Sequence, residues 1–179
     1  PGTWTGQLVQ SIVPGVHSVS AGDVDDDGDI DLAAAANSTG ELMWWANDGD
    51  GSGWTRTTVG TLPSVTLARL ADIDGDGDQD LAAASPVTGG ELAWWENTIG
   101  DGSAWAEHLV DDDPQTPHDL LIVDLGADGD ADLVTAALAA GRIRAYVNAS
   151  SARSAVLDAP LFNSAYPFFL REIADLRSG

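Results

Sequence analysis

The stretch Asp23–Leu32, DVDDDGDIDL, returns as DIDGDGDQDL from Asp72 and as DLGADGDADL from Asp124. A degraded fourth start, ADLRSG, puts Asp175 in the same register, so the intervals are 49, 52 and 51 residues. A second pattern keeps step with the first: GELMWWAN from Gly40, GELAWWEN from Gly90 and GRIRAYVN from Gly141. So does a third, WTGQLV from Trp4, WTRTTV from Trp54 and WAEHLV from Trp105. Three unrelated patterns on one period mark a structural repeat of about 50 residues.

Each unit reads as four short strands. The first lies near His17–Ala21, Thr66–Ala71 and His118–Val123. An Asp/Gly loop leads to a second strand of small apolar residues, Ile30–Ala36, Asp80–Ala84 and Asp132–Ala137. The third strand carries the tryptophan pair, and the fourth begins at Trp54 or Trp105 after the turn-forming runs Asn47–Gly53 and Asn97–Ala104. The second strand is apolar at successive positions, as in Leu32–Ala36, which implies burial on both faces. Alanine also favours helix, but the turns leave too few residues for one. Four-stranded units on this period describe an all-β fold of β-propeller blades. The expected division is a last strand of a preceding blade at 1–15, blades at 16–62, 63–113 and 114–160, and the start of a further blade at 161–179. That is about 3.5 blades where closed propellers have roughly 4–8, so a larger propeller is expected, from a longer chain or a second polypeptide.

The 179 residues carry 29 acidic and 7 basic side chains, a formal charge of −22, and every basic residue is arginine. That charge repels a phosphate backbone, which excludes nucleic acid as a partner. No cysteine is present, which removes disulfides and thiolate chemistry. The longest apolar run, Leu133–Ala140, falls well short of the roughly 18 residues a membrane-spanning helix needs. The absence of an initiator Met and of a signal-like start leads to the expectation that the natural N-terminus lies upstream.

Fifteen of the 29 acids fall in the three loops. In loop one Asp23, Asp25, Asp27 and Asp31 hold positions 1, 3, 5 and 9, with Gly28 at position 6 for the tight turn. Loop two repeats this with Asp72, Asp74, Asp76, Asp80 and Gly77. Asp29 and Asp78, at position 7, are expected to offer backbone carbonyls. Several carboxylates converging without counter-ions repel one another unless a cation joins them. An all-oxygen, irregular shell suits Ca2+ before Mg2+. An EF-hand needs a glutamate at position 12, where Ala34 and Ala83 stand here, and is rejected. Loop three keeps Asp124, Asp128, Asp130 and Asp132 but has Gly126 at position 3, so a weaker site is expected. In the fourth, Arg177 follows Asp175 at position 3, and no metal is expected there.

With the D-x-D-x-D-G-x-x-D loop, the GELMWWAN element and the WTRTTV element all in one period, the chain resembles the FG-GAP/VCBS repeats of integrin α-subunit propellers. The resemblance runs from Trp4 to Gly179 and is weakest over Asn148–Pro167. It implies a propeller, usually of seven blades, with calcium bound between strands one and two of a blade. The implied ligands are Asp23, Asp25, Asp27, Asp29 through its carbonyl and Asp31, and likewise Asp72, Asp74, Asp76, Asp78 and Asp80. It further implies service in adhesion, ligand recognition or assembly.

The pairs Trp44–Trp45 and Trp94–Trp95 put rings on opposite strand faces, where packing between blades is expected ahead of a sugar platform. Trp4, Trp54 and Trp105 receive the same reading. His17 and His118 occupy equivalent positions and are expected to be structural. No catalytic constellation can be assembled, so a non-enzymatic function is expected: a calcium-binding module for protein interaction, adhesion or assembly. A propeller lectin with a glycan partner, or the non-catalytic propeller region of a larger enzyme, are the alternatives. Asn37 and Asn148 fit the N-glycosylation pattern, and with the calcium loops they point to an extracellular or extracytoplasmic location.

Overall fold

The computed structural model describes residues 2–138 and 140–149. These residues form eleven strands and no helix. The first sheet contains β1 (Val16–Gly22), β2 (Asp31–Ala36), β3 (Glu41–Asn47) and β4 (Trp54–Thr61). The second contains β5 (Leu67–Ala71), β6 (Asp80–Ala84), β7 (Leu92–Asn97) and β8 (Trp105–Asp111). The third contains β9 (Pro117–Val123), β10 (Asp132–Ala137) and β11 (Arg142–Tyr146). Every pairing is antiparallel between sequence neighbours, so each sheet is an up-and-down blade. The first strands stand side by side, β1 against β5 and β5 against β9, while the fourth strands β4 and β8 barely meet. The blades therefore fan out from a common axis lined by β1, β5 and β9, and among the described residues they do not close into a ring.

The alanine-rich second strands become strands because both of their faces are covered. Ala33, Ala35, Leu42 and Trp44 of the first blade pack with Leu81, Ala83, Ala93 and Trp95 of the second in one buried cluster. The opposite face of the second blade, Ala82, Ala84, Leu92 and Trp94, packs with Leu120, Leu133 and Tyr146 of the third. Small alanines on one sheet admit large indoles from the next, and this burial overrides alanine's helical preference. A buried indole removes 150–250 Å² from water, worth on the order of 4–6 kcal/mol.

Polar clasps fix the same interfaces. The Ala68 and Leu70 amides donate to Ser18 Oγ (2.9 Å) and Ser20 Oγ (3.1 Å) across the axis. Trp44 Nε1 donates to the Gly102 carbonyl at 3.1 Å, which also accepts from Trp105 Nε1 at 2.9 Å. Gly102 has φ +67°, and a methyl group on it would overlap the Trp44 ring. Between the second and third blades, Arg144 and the Tyr146 hydroxyl both donate to Asp111 Oδ2 at 2.7 Å. Burial and that carboxylate push the Tyr146 phenol up to about 12.

Three expectations need correction. Trp4–Val9 is not a strand: no described strand lies beside it, Trp4 is fully exposed, and no strand occurs before Val16. Instead Val9 and Val13 pack on the outer face of the first blade, against Met43 and Trp45, with Trp45 Nε1 donating to Gln10 Oε1 at 3.1 Å. β2 begins at Asp31, since Ile30 is exposed, and β5 begins at Leu67, one residue after buried Thr66. His17 and His118 belong to no core; both are exposed at the starts of β1 and β9. The expected fourth strand of the third blade, Ser150 of the second glycosylation pattern, and Asp175 with Arg177 lie outside the described residues.

Candidate metal centre

Each Asp/Gly loop connects the first strand of a blade to its second, and the three loops share one backbone. The position-6 glycines Gly28, Gly77 and Gly129 have φ of +93°, +103° and +94°. Their amides donate to the position-1 carboxylates of Asp23, Asp72 and Asp124 at 3.0, 3.1 and 3.1 Å. The position-7 amides of Asp29, Asp78 and Asp130 donate to Asp27, Asp76 and Asp128. Position 4 is left-handed too, in Asp26, Gly75 and Ala127. This curl turns alternate side chains toward one centre.

In loop one, carboxylate oxygens of Asp23, Asp25 and Asp27 come within 4.8 Å of one another; in loop two, those of Asp72, Asp74 and Asp80 do so. No third such group occurs among the described residues. Loop three has Gly126 where Asp25 and Asp74 stand, so it lacks one carboxylate. Asp29 and Asp78 project toward the next loop, beside Gly49 and Gly100.

The position-9 aspartates have a second job. Asp31, Asp80 and Asp132 are buried, and each accepts two backbone N–H bonds: from Val24, Ile73 or Leu125 at position 2, and from Asn47, Asn97 or Asn148 at the end of the third strand or just past it. All six distances are 2.8–2.9 Å. The carboxylate thus ties loop to blade.

The electrostatics are uncompensated. No ion pair between described residues involves an aspartate of loops one or two. Burial, then the charges of Asp31, Asp27 and Asp23, raises Asp25; burial with the charges of Asp27 and Asp23 raises Asp31. Burial also raises Asp74, with Asp76 and Glu96 adding to it, and pushes Asp80 up to about 6. Asp23 Oδ1 and Asp25 Oδ1 are buried with no hydrogen-bond partner. Buried carboxylate oxygens that face one another and lack donors are what a hard cation satisfies, so the residues fit the ion.

The sequence profile described as an FG-GAP-like repeat matches residues 23–83 and again residues 72–135, which together span more than half of the chain. The chain belongs to the FG-GAP-like repeat family. Each FG-GAP match starts on the first aspartate of a loop and runs into the second strand of the following blade, so the repeat unit straddles a blade interface. No curated protein matches the chain.

One set of residues in this FG-GAP unit escaped the sequence reading. Asn97 Nδ2 donates to the Val24 carbonyl at 2.9 Å, and Asn148 Nδ2 to the Ile73 carbonyl at 3.1 Å. Each asparagine thereby joins its own blade to position 2 of the preceding blade's Asp/Gly loop. Asn47, in the first described blade, bonds the Ile30 carbonyl of its own blade instead. The signal was present as the final Asn of GELMWWAN, GELAWWEN and GRIRAYVN, but asparagine before a Gly-rich run reads equally as a turn former. Asn37 Nδ2 likewise bonds Ser64 O at 3.0 Å.

Proposed function

We propose that the chain is a calcium-braced propeller segment that serves, without catalysis, as a protein-interaction, adhesion or assembly module in an extracytoplasmic compartment. The observation that carries this reading is the pair of carboxylate clusters set in the loops of an FG-GAP repeat, the first of them with two unsatisfied buried oxygens, Asp23 Oδ1 and Asp25 Oδ1. Asp23, Asp25 and Asp27 with Asp31, and Asp72, Asp74 and Asp80 with Asp76, would hold the ions, with the Asp29 and Asp78 carbonyls completing the shells. Loop three, with Asp124, Asp128, Asp130 and Asp132, would bind more weakly. The cation supplies charge neutralisation: it relieves carboxylate repulsion and stiffens loops that anchor the next blade through Asn97 and Asn148. Calcium at extracellular, millimolar levels suits such modules.

The tryptophans favour this reading over a lectin. Trp44, Trp45 and Trp95 are buried at blade faces, and Trp94 stacks on His108 with centroids 4.4 Å apart, so the two tryptophan pairs serve packing ahead of a sugar platform. Among the described residues no helix is long and apolar enough to cross a membrane. Calorimetric titration with calcium tests the proposal. Two strong sites are expected, and an absence of binding at millimolar calcium would overturn it.

A further inference from the structure

Beyond the metal loops, the blade repeat brings a different set of residues together at the opposite end of the axis. His17, Thr66 and His118 hold equivalent positions at the starts of the first strands, far apart in sequence. Because β1, β5 and β9 stand side by side, these positions become neighbours. They line an open cleft of about 390 Å³ with Arg69, Pro86 and Asp119. In a chain of charge −22 with three histidines, two of those histidines and one arginine gather here.

We propose that this cleft binds a carboxylate side chain presented by a partner polypeptide, with Arg69 as the charged anchor and His17 and His118 as flanking donors. The proposal rests on the reading of the chain as an interaction module and gives that partner a chemistry. Arg69 is under-used: Nη1 donates to the Ala68 carbonyl at 2.9 Å, and Nη2 stands 3.7 Å from Asp119 Oδ1, too far for a hydrogen bond. A guanidinium has five N–H donors, so most remain for a ligand. The Asp119 side chain is 72% exposed and is held only by the Leu120 amide, which donates to its Oδ1 at 2.9 Å, so it can swing aside at the cost of that one bond when a better-placed carboxylate arrives. Neither His17 nor His118 has a hydrogen-bond partner among the described residues, and each ring offers an N–H even when neutral. Pro86 and Leu67 give apolar contact for the ligand's backbone.

The net charge does not forbid an anion here. His17 precedes Asp23 by six residues of extended chain, roughly 20 Å at about 3.3 Å per residue, and Arg69 precedes Asp72 by three, roughly 10 Å. At physiological ionic strength the screening length is about 8 Å, so the loop aspartates are largely screened at the histidines and partly screened at Arg69. Asp119 already balances the Arg69 guanidinium in the unliganded cleft, so an incoming carboxylate has to displace it, and a single negative charge is the most the guanidinium can then match. A phosphate dianion would bring a second charge that nothing in the cleft balances.

The test uses the three histidines as internal probes. Imidazole Cε1–H signals are followed by NMR in the calcium-containing protein during titration with acetyl-Gly-Asp-Gly-amide, with the Gly-Asn-Gly analogue and inorganic phosphate as controls. The expected result is saturable shifts of His17 and His118 with the aspartate peptide alone, and an unmoved His108. Arg69→Gln should weaken binding about tenfold, the loss of one charge-assisted bond, and Asp119→Asn should strengthen it. Equal response to the asparagine peptide, equal or stronger response to phosphate, uniform shifts of all three histidines, or no shift would overturn the proposal. Calcium binding recorded on the same sample shows separately whether the metal reading stands.

Discussion

Replacing Asn97 by alanine should weaken the junction of the first two blades far more than the same change at Asn47. Asn97 is fully buried; its Nδ2 holds the Val24 carbonyl and its Oδ1 accepts from the Gly102 amide at 3.0 Å. Truncation orphans one buried acceptor and one buried donor, each costing about 1–3 kcal/mol. The sum is roughly 2–6 kcal/mol, a large share of the ~5–15 kcal/mol that stabilises a typical domain. Asn47 occupies the same register, but its contacts to Ile30, Gly49 and Gly51 stay within one blade and near solvent. Water can replace them, so Asn47→Ala should cost about 1 kcal/mol. Urea unfolding followed by tryptophan fluorescence measures both. Equal losses, or a loss below 1 kcal/mol for Asn97→Ala, would refute the claim that this asparagine clasps blades together.

Other consequences follow from the same geometry. Gly102→Ala should destabilise by more than the ordinary cost of a left-handed alanine, because the methyl meets the Trp44 ring as well; a denaturation midpoint unchanged from the parent would count against it. Asp27→Ala and Asp76→Ala should each weaken one calcium site, whereas Asp128→Ala should matter less; identical stoichiometry and affinity in all three and the parent would contradict this order. In chelator, the folded state holds the Asp80 proton up to about pH 6 against an ordinary 3.8, so Asp80's contribution is most favourable below about pH 4 and is lost as the pH rises through 6. Calcium binds the carboxylate, so its stabilising effect should grow over that same window. Thermal unfolding of the chelated parent and of Asp80→Asn from pH 4.5 to 7.5 measures the difference, and parallel curves would rule out this role for Asp80.

The blades were legible because their signals repeat. Period, loop and tryptophan pair each recur, and the consecutive alanines of β2 and β6 announce strands covered on both sides. The Asp/Gly loops were legible as a repeated element for the same reason, since alternate aspartates recur around Gly28 and Gly77. What the sequence concealed depends on contacts between units. The bonds from Asn97 to Val24 and from Asn148 to Ile73 link residues 73 and 75 positions apart, and local pattern carries no trace of them. The role of Asp31 and Asp80 in tying the loop to the third strand was hidden likewise. Trp4–Val9 misled in the opposite direction: it carries the fourth-strand pattern, yet a strand forms only beside a partner, and Val9 found the face of Trp45 and Met43 instead.

The central claim is that the clustered aspartates of loops one and two hold cations that brace the blades. It is tested most directly by thermal unfolding in millimolar calcium and in chelator, for the parent and for a variant combining Asp25→Asn with Asp74→Asn. A ligand confined to the folded state adds about 2.7 kcal/mol at a hundredfold excess over its dissociation constant. The account predicts a melting temperature several degrees higher in calcium for the parent and a much smaller rise for the variant, which in chelator should match or exceed the parent because two repelling charges are gone. An equal response to calcium in both proteins, or none in the parent, would contradict it.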